Sequence, residues 1–213
     1  MNKTTSTNTT SAEAQLESKV DAAKQQISDT IVNLNPAQYQ APSLQAQVAS
    51  PVGEIIVRAS ERGLTHLTMA SVLAEPDVNI ETVLIEVEAI ASGSAEAMFL
   101  TRLHLIKAIK QLQEYFAGQR VSFDLPLAAK GTEFQHQVWQ ALVDMPYGSF
   151  CSYSDIAKQI ARPKAVRAVG AANGANPIAI IVPCHRVIGK SGKLTGYAHG
   201  LAMKQYLLDL EGV

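Results

Sequence analysis

Cys184 and His185 stand side by side where an apolar run, Ile178-Ala-Ile-Ile-Val182, stops at Pro183; Arg186 follows, and Val187-Ile188 is apolar again. A thiol beside an imidazole supplies a nucleophile and a route for its proton. The β-branched run reads as a buried strand, and proline ends its ladder because it has no N–H to donate. Polar side chains at the end of such a strand cost free energy unless paired. Adjacent side chains in an extended strand point to opposite faces, so a Cys184–His185 contact requires a turn or a bridging water. The histidine also needs an orienting partner, and Asp209 and Glu211 near the C-terminus are both candidates by position. Taken alone, the pair has an ordinary reading. A free cysteine usually acts as a small buried hydrophobe, and a lone histidine is more often a satisfied core residue.

The elements that must hold this segment fall into three parts: a tail over 1–44, an N-terminal α/β domain over 45–126, and a C-terminal domain over 127–213. Residues 1–12 are Ser, Thr and Asn with one lysine, a composition expected to stay disordered. The stretch from Ala12 to Leu34 could form a loose helix. Val52–Ala59 and Leu64–Met69 flank Ser60-Glu-Arg-Gly63, which reads as a β-hairpin with Gly63 at positive φ. A further strand is expected within Val83–Ile90. A helix is expected over Ala97–Ala117, with Phe99, Leu103, Ile106, Ile109, Leu112 and Phe116 as its apolar stripe and Gly118 as its C-terminal stop. Beyond Pro126 the pattern is mostly helical. Thr132 with Gln135 is a capping-box pair opening a helix through Trp139. Short helices follow over Ser152–Ile160 and Lys164–Asn173, then the Ile178 strand and a last helix over Leu201–Leu210. The fold class is α+β: a small antiparallel sheet unit, then a mostly helical unit with a helix-turn-helix and a short active-site strand.

Charge is unevenly spread. Residues 131–213 carry eight basic and five acidic groups, and the eight basic ones all lie between Lys158 and Lys204, a stretch without an acid. Such a surface attracts polyanions, although a charge cluster alone more often marks a solvated face. The helix over Lys164–Asn173 carries Lys164 and Arg167 but is otherwise rich in alanine, Ala168 among them. Small side chains let a helix sit deep in a groove while reading few base edges, whereas operator readers present Arg, Asn or Gln to the bases. The pattern therefore fits a DNA binder of low sequence specificity. Two cysteines, Cys151 and Cys184, are too few for a disulfide framework or a four-cysteine zinc site, and a reducing cytoplasm is their simplest home. No apolar run approaches the roughly 18–20 residues of a membrane span, and the N-terminus lacks the apolar core of a secretory signal.

Pro183-Cys-His-Arg-Val187 with Ile188-Gly189 resembles the active-site signature of the O6-alkylguanine-DNA alkyltransferases, a family also called methylated-DNA–protein-cysteine methyltransferases. The likeness extends through Gly131-Thr-x-Phe134-Gln135, Val138-Trp139, Ala141-Leu142, Pro146-x-Gly148, Ser152-Tyr153, Ile156-Ala157, Arg167-Ala-Val-Gly170, Asn176-Pro177, Gly196-Tyr197 and Lys204 to Gly212. Upstream it takes in Pro51-Val-Gly53, Tyr115-Phe116-Ala-Gly118 and Phe123-Asp124-Leu-Pro126-Leu127, so it spans about Gln45 to Gly212.

The resemblance implies a mechanism. Cys184 accepts the alkyl group from guanine O6, and from thymine O4, in a single irreversible turnover. His185 takes its proton through water and Glu211 orients His185. Tyr153 donates to the guanine ring nitrogen and helps rotate the nucleotide. Arg167 enters the base stack in place of the flipped base. Asn176 braces the turn between the recognition helix and the active-site strand. The Val187 carbonyl binds the exocyclic amine, and Tyr197, Ala198 and Pro177 wall the pocket. Lys164, Ala168 and Arg186 join Arg167 and Tyr153 against DNA. The implied partner is double-stranded DNA carrying O6-alkylguanine, met by a monomer without cofactor or metal. Family members that bind lesions without transferring the alkyl group replace the cysteine, which this chain keeps.

Overall fold

The computed structural model describes residues 39–69, 87–89 and 93–213. Residues 1–38 of the N-terminal tail, with the Ala12–Leu34 segment, and most of the strand expected at Val83–Ile90 lie outside the described residues. Within that last stretch Val87–Ala89 forms a strand.

Alternation of apolar and polar residues builds the N-terminal sheet. Strands β1 (Leu44–Ser50), β2 (Gly53–Ser60), β3 (Gly63–Met69) and β4 (Val87–Ala89) lie in the order β3-β2-β1-β4, with every pairing antiparallel. Leu44, Ala46 and Val48 of β1 and Ile55, Val57 and Ala59 of β2 point to one buried face. Helix α1 (Ala95–Phe116) packs there, started by Ser94, whose side chain accepts from the Ala97 N–H. Its buried stripe is Leu105, Ala108, Ile109, Leu112, Tyr115 and Phe116, whereas the expected stripe members Phe99 and Ile106 are 44% and 47% exposed. The helix is rolled because buried polar residues occupy the inner face with partners of their own. His104 Nδ1 donates to the Ser60 carbonyl at 3.0 Å, and Gln111 exchanges two hydrogen bonds with the Asp124 backbone. A periodicity that counts apolar residues alone misses such positions.

The outer edge of β3 joins the two halves of the molecule. Leu64 N–H donates to Pro126 O at 2.9 Å, and Ala128 N–H returns to Leu64 O at 2.7 Å. Further along, Leu67 N–H donates to Pro177 O (2.8 Å) and Ala179 N–H to Leu67 O (3.1 Å). Gly63 has φ +138°, and a Cβ there would collide with the Pro126 carbonyl. The hairpin expectation for Gly63 thus holds, with a crossing strand as an added reason for glycine.

In the C-terminal half, α2 (Glu133–Val143) opens with the expected capping box between Thr132 and Gln135. Strand β5 (Cys151–Ser152) pairs in parallel with β6 (Val187–Ile188). Helices α3 (Tyr153–Gln159) and α4 (Val166–Gly174) form the helix-turn-helix, and α5 (Leu201–Leu210) closes the chain. A second capping box, Ser152 with Asp155, starts α3. Trp139 Nε1–H donates to Ala172 O at 2.8 Å, tying α2 to α4.

The strand expected over Ile178–Val182 is replaced by successive turns. Ile181 N–H bonds Ala179 O (2.8 Å) around Ile180, which sits at φ +70°, and Val182 N–H bonds Ile178 O (3.0 Å). Cys184 N–H then bonds Val182 O (2.8 Å) around Pro183 at φ −81°, ψ 63°. These are two three-residue γ-turns, the first in the strained left-handed region. The Asn176 side chain folds the run back on itself, with Nδ2–H donating to Val182 O at 2.8 Å and Oδ1 accepting from Ile178 N–H at 3.0 Å. Only Ile178 keeps a ladder contact, with Leu67. Among the described residues no helix is long and apolar enough to cross a membrane.

Candidate active site

Cys184, His185 and Arg186 form one turn of 3-10 helix. Such a turn rotates successive side chains by about 120°, so the thiol and the imidazole are not forced to opposite faces as a strand would have forced them. All three residues are buried, Cys184 being 6% exposed and His185 0%.

Asn176 Nδ2–H donates to Cys184 Sγ at 3.1 Å. Burial pushes the Cys184 thiol up from its ordinary value, while this hydrogen bond, the nearby Lys204 ammonium and two backbone N–H groups pull the other way. The resting residue is a protonated thiol facing a set of donors ready to stabilise the thiolate. Cys151 lacks that support. Burial and the Asp155 charge raise it to about 11, and its Sγ meets Met145 Sδ at 3.7 Å.

His185 Nε2 lies 2.8 Å from Glu211 Oε1. Burial alone would raise Glu211, but hydrogen bonds from His185 and Arg186, and the charges behind them, bring it down to about 2. An ionised carboxylate only accepts, so Nε2 carries the proton and Nδ1 presents a lone pair. Nδ1 is buried without a partner among the described residues. Burial lowers His185 below its ordinary value, and Glu211 partly restores it. The imidazole is therefore a neutral, oriented base beside a neutral thiol. Of the two carboxylates open by position, Glu211 is the one in contact.

Arg186 is a correction. It was expected to face DNA, but it is 6% exposed and locked inward. Its Nε donates to Glu211 Oε2 at 2.7 Å, one terminal nitrogen to Glu211 Oε1 at 3.0 Å, and the other to Met145 O at 2.7 Å. A bidentate, charge-assisted pair of this kind is short and directional, so Arg186 is held behind the histidine by Glu211 rather than turned outward.

Lys204 is the residue that sequence reasoning quoted without giving it work. It is fully buried, and Nζ donates to Val187 O at 2.6 Å and to Thr195 O at 3.0 Å. It thereby fastens the loop over 189–196 to β6. The Val187 carbonyl, expected to take a guanine amine, already accepts this ammonium and has one lone pair left. The available signal was position: Lys204 shares a stripe of α5 with the buried Met203, Leu207 and Leu208. Tyr115 was also missed. Its hydroxyl donates to Glu211 Oε1 at 2.8 Å from across the molecule, and nothing in an apolar stripe announces where a phenol will point.

Tyr153 starts α3, and its ring lies where a Cβ on Gly170 of α4 would meet it at 3.8 Å. Its hydroxyl donates to Thr195 O at 3.3 Å. Tyr197 is half-buried, and its hydroxyl has no partner among the described residues. Pro177 is half-buried, with its carbonyl engaged by β3, while Ala198 is exposed. Lys164, Arg167 and Ala168 are exposed at the start of α4, and no ion pair holds Arg167 among the described residues. Because Arg186 and Lys204 are internal, the basic surface consists of Lys158, Arg162, Lys164, Arg167, Lys190 and Lys193. Among the described residues no group of three His, Cys, Asp or Glu side chains is placed to hold a metal ion.

Comparison with known proteins agrees with this arrangement. Residues 44–129 match the family model "6-O-methylguanine DNA methyltransferase, ribonuclease-like domain", and residues 133–213 match "6-O-methylguanine DNA methyltransferase, DNA binding domain". The chain is 48% identical over 166 residues to a methylated-DNA–protein-cysteine methyltransferase of Methanosarcina acetivorans, covering 76% of this chain and 94% of that one. Among solved structures it is similar to Mycobacterium tuberculosis O6-methylguanine methyltransferase, with a TM-score of 0.61 and 42% identity over 79% of this chain and 92% of the other. The same mycobacterial protein in complex with DNA matches with a TM-score of 0.61 and 42% identity, over 78% and 90% of the two chains. The ordered match over both halves, at this identity, places the chain in the 6-O-methylguanine DNA methyltransferase family.

Proposed function

We propose that the protein repairs DNA by moving the alkyl group of O6-alkylguanine onto Cys184 Sγ, once per molecule. The observation that carries the reading is the Asn176 N–H aimed at Sγ, 3.1 Å away, in front of the His185–Glu211 pair. The thiol proton passes to His185 Nδ1 through a water molecule. The thiolate attacks the alkyl carbon, an S–C bond forms and the C–O bond breaks. Guanine leaves with the electron pair on O6 and takes a proton at a ring nitrogen from the Tyr153 O–H, which has turned from Thr195 to face it and then regains a proton from solvent. The product thioether has no good leaving group, so Cys184 is not regenerated. Thymine alkylated at O4 offers the same alkyl carbon on an aromatic oxygen and falls within the same chemistry.

Duplex DNA hides guanine O6 and the structure hides Cys184, so the base must leave the stack, at a cost of a few kcal/mol. Arg167, exposed at the start of α4, fills the gap with a planar guanidinium that stacks well. In this reading residues 127–213 meet double-stranded DNA, a reading supported by the mycobacterial relative's structure in complex with DNA, while residues 45–126 brace the reacting loop. The test is peptide mass after incubation with duplex DNA containing O6-methylguanine. Cys184 is expected to gain one methyl group and Cys151 none. DNA that is bound and released with its methyl group intact would show lesion binding without transfer and overturn the proposal.

A further inference from the structure

Glu211 Oε1 is crowded. It accepts from Tyr115 O–H at 2.8 Å, from His185 Nε2–H at 2.8 Å and from an Arg186 nitrogen at 3.0 Å, while Oε2 takes only Arg186 Nε at 2.7 Å. A carboxylate oxygen has two lone pairs, so three donors on Oε1 compete. The competitor from outside the C-terminal half is Tyr115, on the last turn of α1. Its ring is 1% exposed and packs against Phe116, Phe123 and Tyr147, with ring centres 5.5–6.3 Å apart. A phenylalanine would fill that space without the cost of burying a hydroxyl. What the hydroxyl adds is its bond to Glu211.

We infer that Tyr115 is a positioning residue for alkyl transfer: from the N-terminal half it orients the Glu211 carboxylate and, by sharing Oε1, limits how strongly that carboxylate supports His185. The inference rests on the alkyl-transfer reading above. The charged and titratable groups around the pair are Glu211 and Arg186 on both residues, Tyr147 beside Tyr115, and Lys204 beside His185. None of the others is placed to replace the Tyr115 hydroxyl. Arg186 is already spent on both oxygens and on Met145, and the Tyr147 hydroxyl donates to Leu210 O at 2.9 Å. Removing the Tyr115 hydroxyl leaves Oε1 with two donors, strengthens the His185 bond and makes the imidazole more basic. The base is then neutral over a narrower range, and the acid limb of the pH–rate profile moves up.

The experiment is single-turnover methyl transfer from an O6-methylguanine duplex between about pH 5.5 and pH 9, a range that brackets ordinary histidine titration. It compares wild type with Tyr115→Phe and Tyr147→Phe. The acid limb of Tyr115→Phe is expected to rise by about half a pH unit or more, and that of Tyr147→Phe to stay where wild type has it. Replacing Tyr115 by 3-fluorotyrosine, which keeps the ring and makes the hydroxyl a stronger donor, should move the limb down; this arm remains informative if Tyr115→Phe folds poorly. Coincident limbs in wild type, Tyr115→Phe and the fluorotyrosine protein, or an equal shift in Tyr147→Phe, would overturn the assignment of Tyr115. Absence of transfer by wild type at every pH would instead overturn the alkyl-transfer reading itself.

Discussion

A carboxylate that gathers donors from Tyr115, His185 and Arg186 titrates as part of that cluster, and folding stability must follow. Glu211 falls from 4.5 to about 2 in the folded protein. A depressed carboxylate contributes stability that is present above its unfolded value and is lost as pH falls from about 4.5 toward about 2, on the order of 3 kcal/mol. His185 acts in the same direction at higher pH. Its folded value lies below 6.5 because burial disfavours the charged ring, so the unfolded chain binds the proton first and stability declines once pH drops below about 6.5. His66, His104 and His199 are lowered by burial as well and add to that slope. Urea unfolding at pH 7.5, 5.5 and 4 should therefore give a midpoint that falls at each step. A midpoint unchanged from pH 7.5 to 5.5 would mean that the buried histidines bind protons as readily in the fold as in the unfolded chain. A midpoint higher at pH 5.5 than at pH 7.5 would mean that the fold holds them protonated, and would remove the neutral base on which the mechanism depends.

The turn inside the helix-turn-helix carries a local conflict. Ala161 ends α3 at φ +57°, while Ala161 N–H bonds Lys158 O (2.9 Å) and Arg162 N–H bonds Ala157 O (2.8 Å). This is a left-handed helix stop, the place where glycine is favoured because a Cβ costs about 1 kcal/mol or more. Ala161→Gly should raise stability by about 0.5–1 kcal/mol in urea melts, with methyl transfer unchanged, since the side chain is exposed. A loss of stability would mean that the added freedom of the unfolded chain outweighs the strain. Such conflicts mark where sequence reading works and where it stops. Capping residues are local chemistry, so Thr132–Gln135 and the starts of α2 and α3 were legible. The Ile178–Val182 run was not, because its β-branched residues carry the signal of a strand while Asn176 and the edge of β3 impose turns. A neighbouring side chain and the edge of a strand distant in sequence together overrode propensity, and they did so at the residues that present Cys184.

At the scale of the molecule, legibility followed surface charge less closely than chain order. The stretch from Lys158 to Lys204 reads as uniformly basic, yet two of its eight cations point inward. A count of charges cannot tell a lysine that fastens a loop from one that meets a phosphate. The six exposed cations surround α4 and the loop over 189–196, so DNA affinity should fall steeply with salt, and each phosphate contact removed should lower the log–log slope by about 0.9. Lys164→Ala is expected to show that loss while leaving the reaction with a free O6-alkylguanine base at the wild-type rate. Arg167→Ala separates a second function from simple attraction. If its guanidinium replaces the extruded base, its removal returns part of the unstacking cost to the reaction barrier. Duplex repair should then slow roughly tenfold or more, since each 1.36 kcal/mol is a factor of ten. The free base needs no extrusion, and its transfer to Cys184 should keep the wild-type rate. Equal slowing on duplex and free base would place Arg167 at the chemistry of the thiol, a location that its exposure on α4 contradicts. Unchanged rates on both would leave base extrusion to Tyr153 and to the deformability of the damaged duplex.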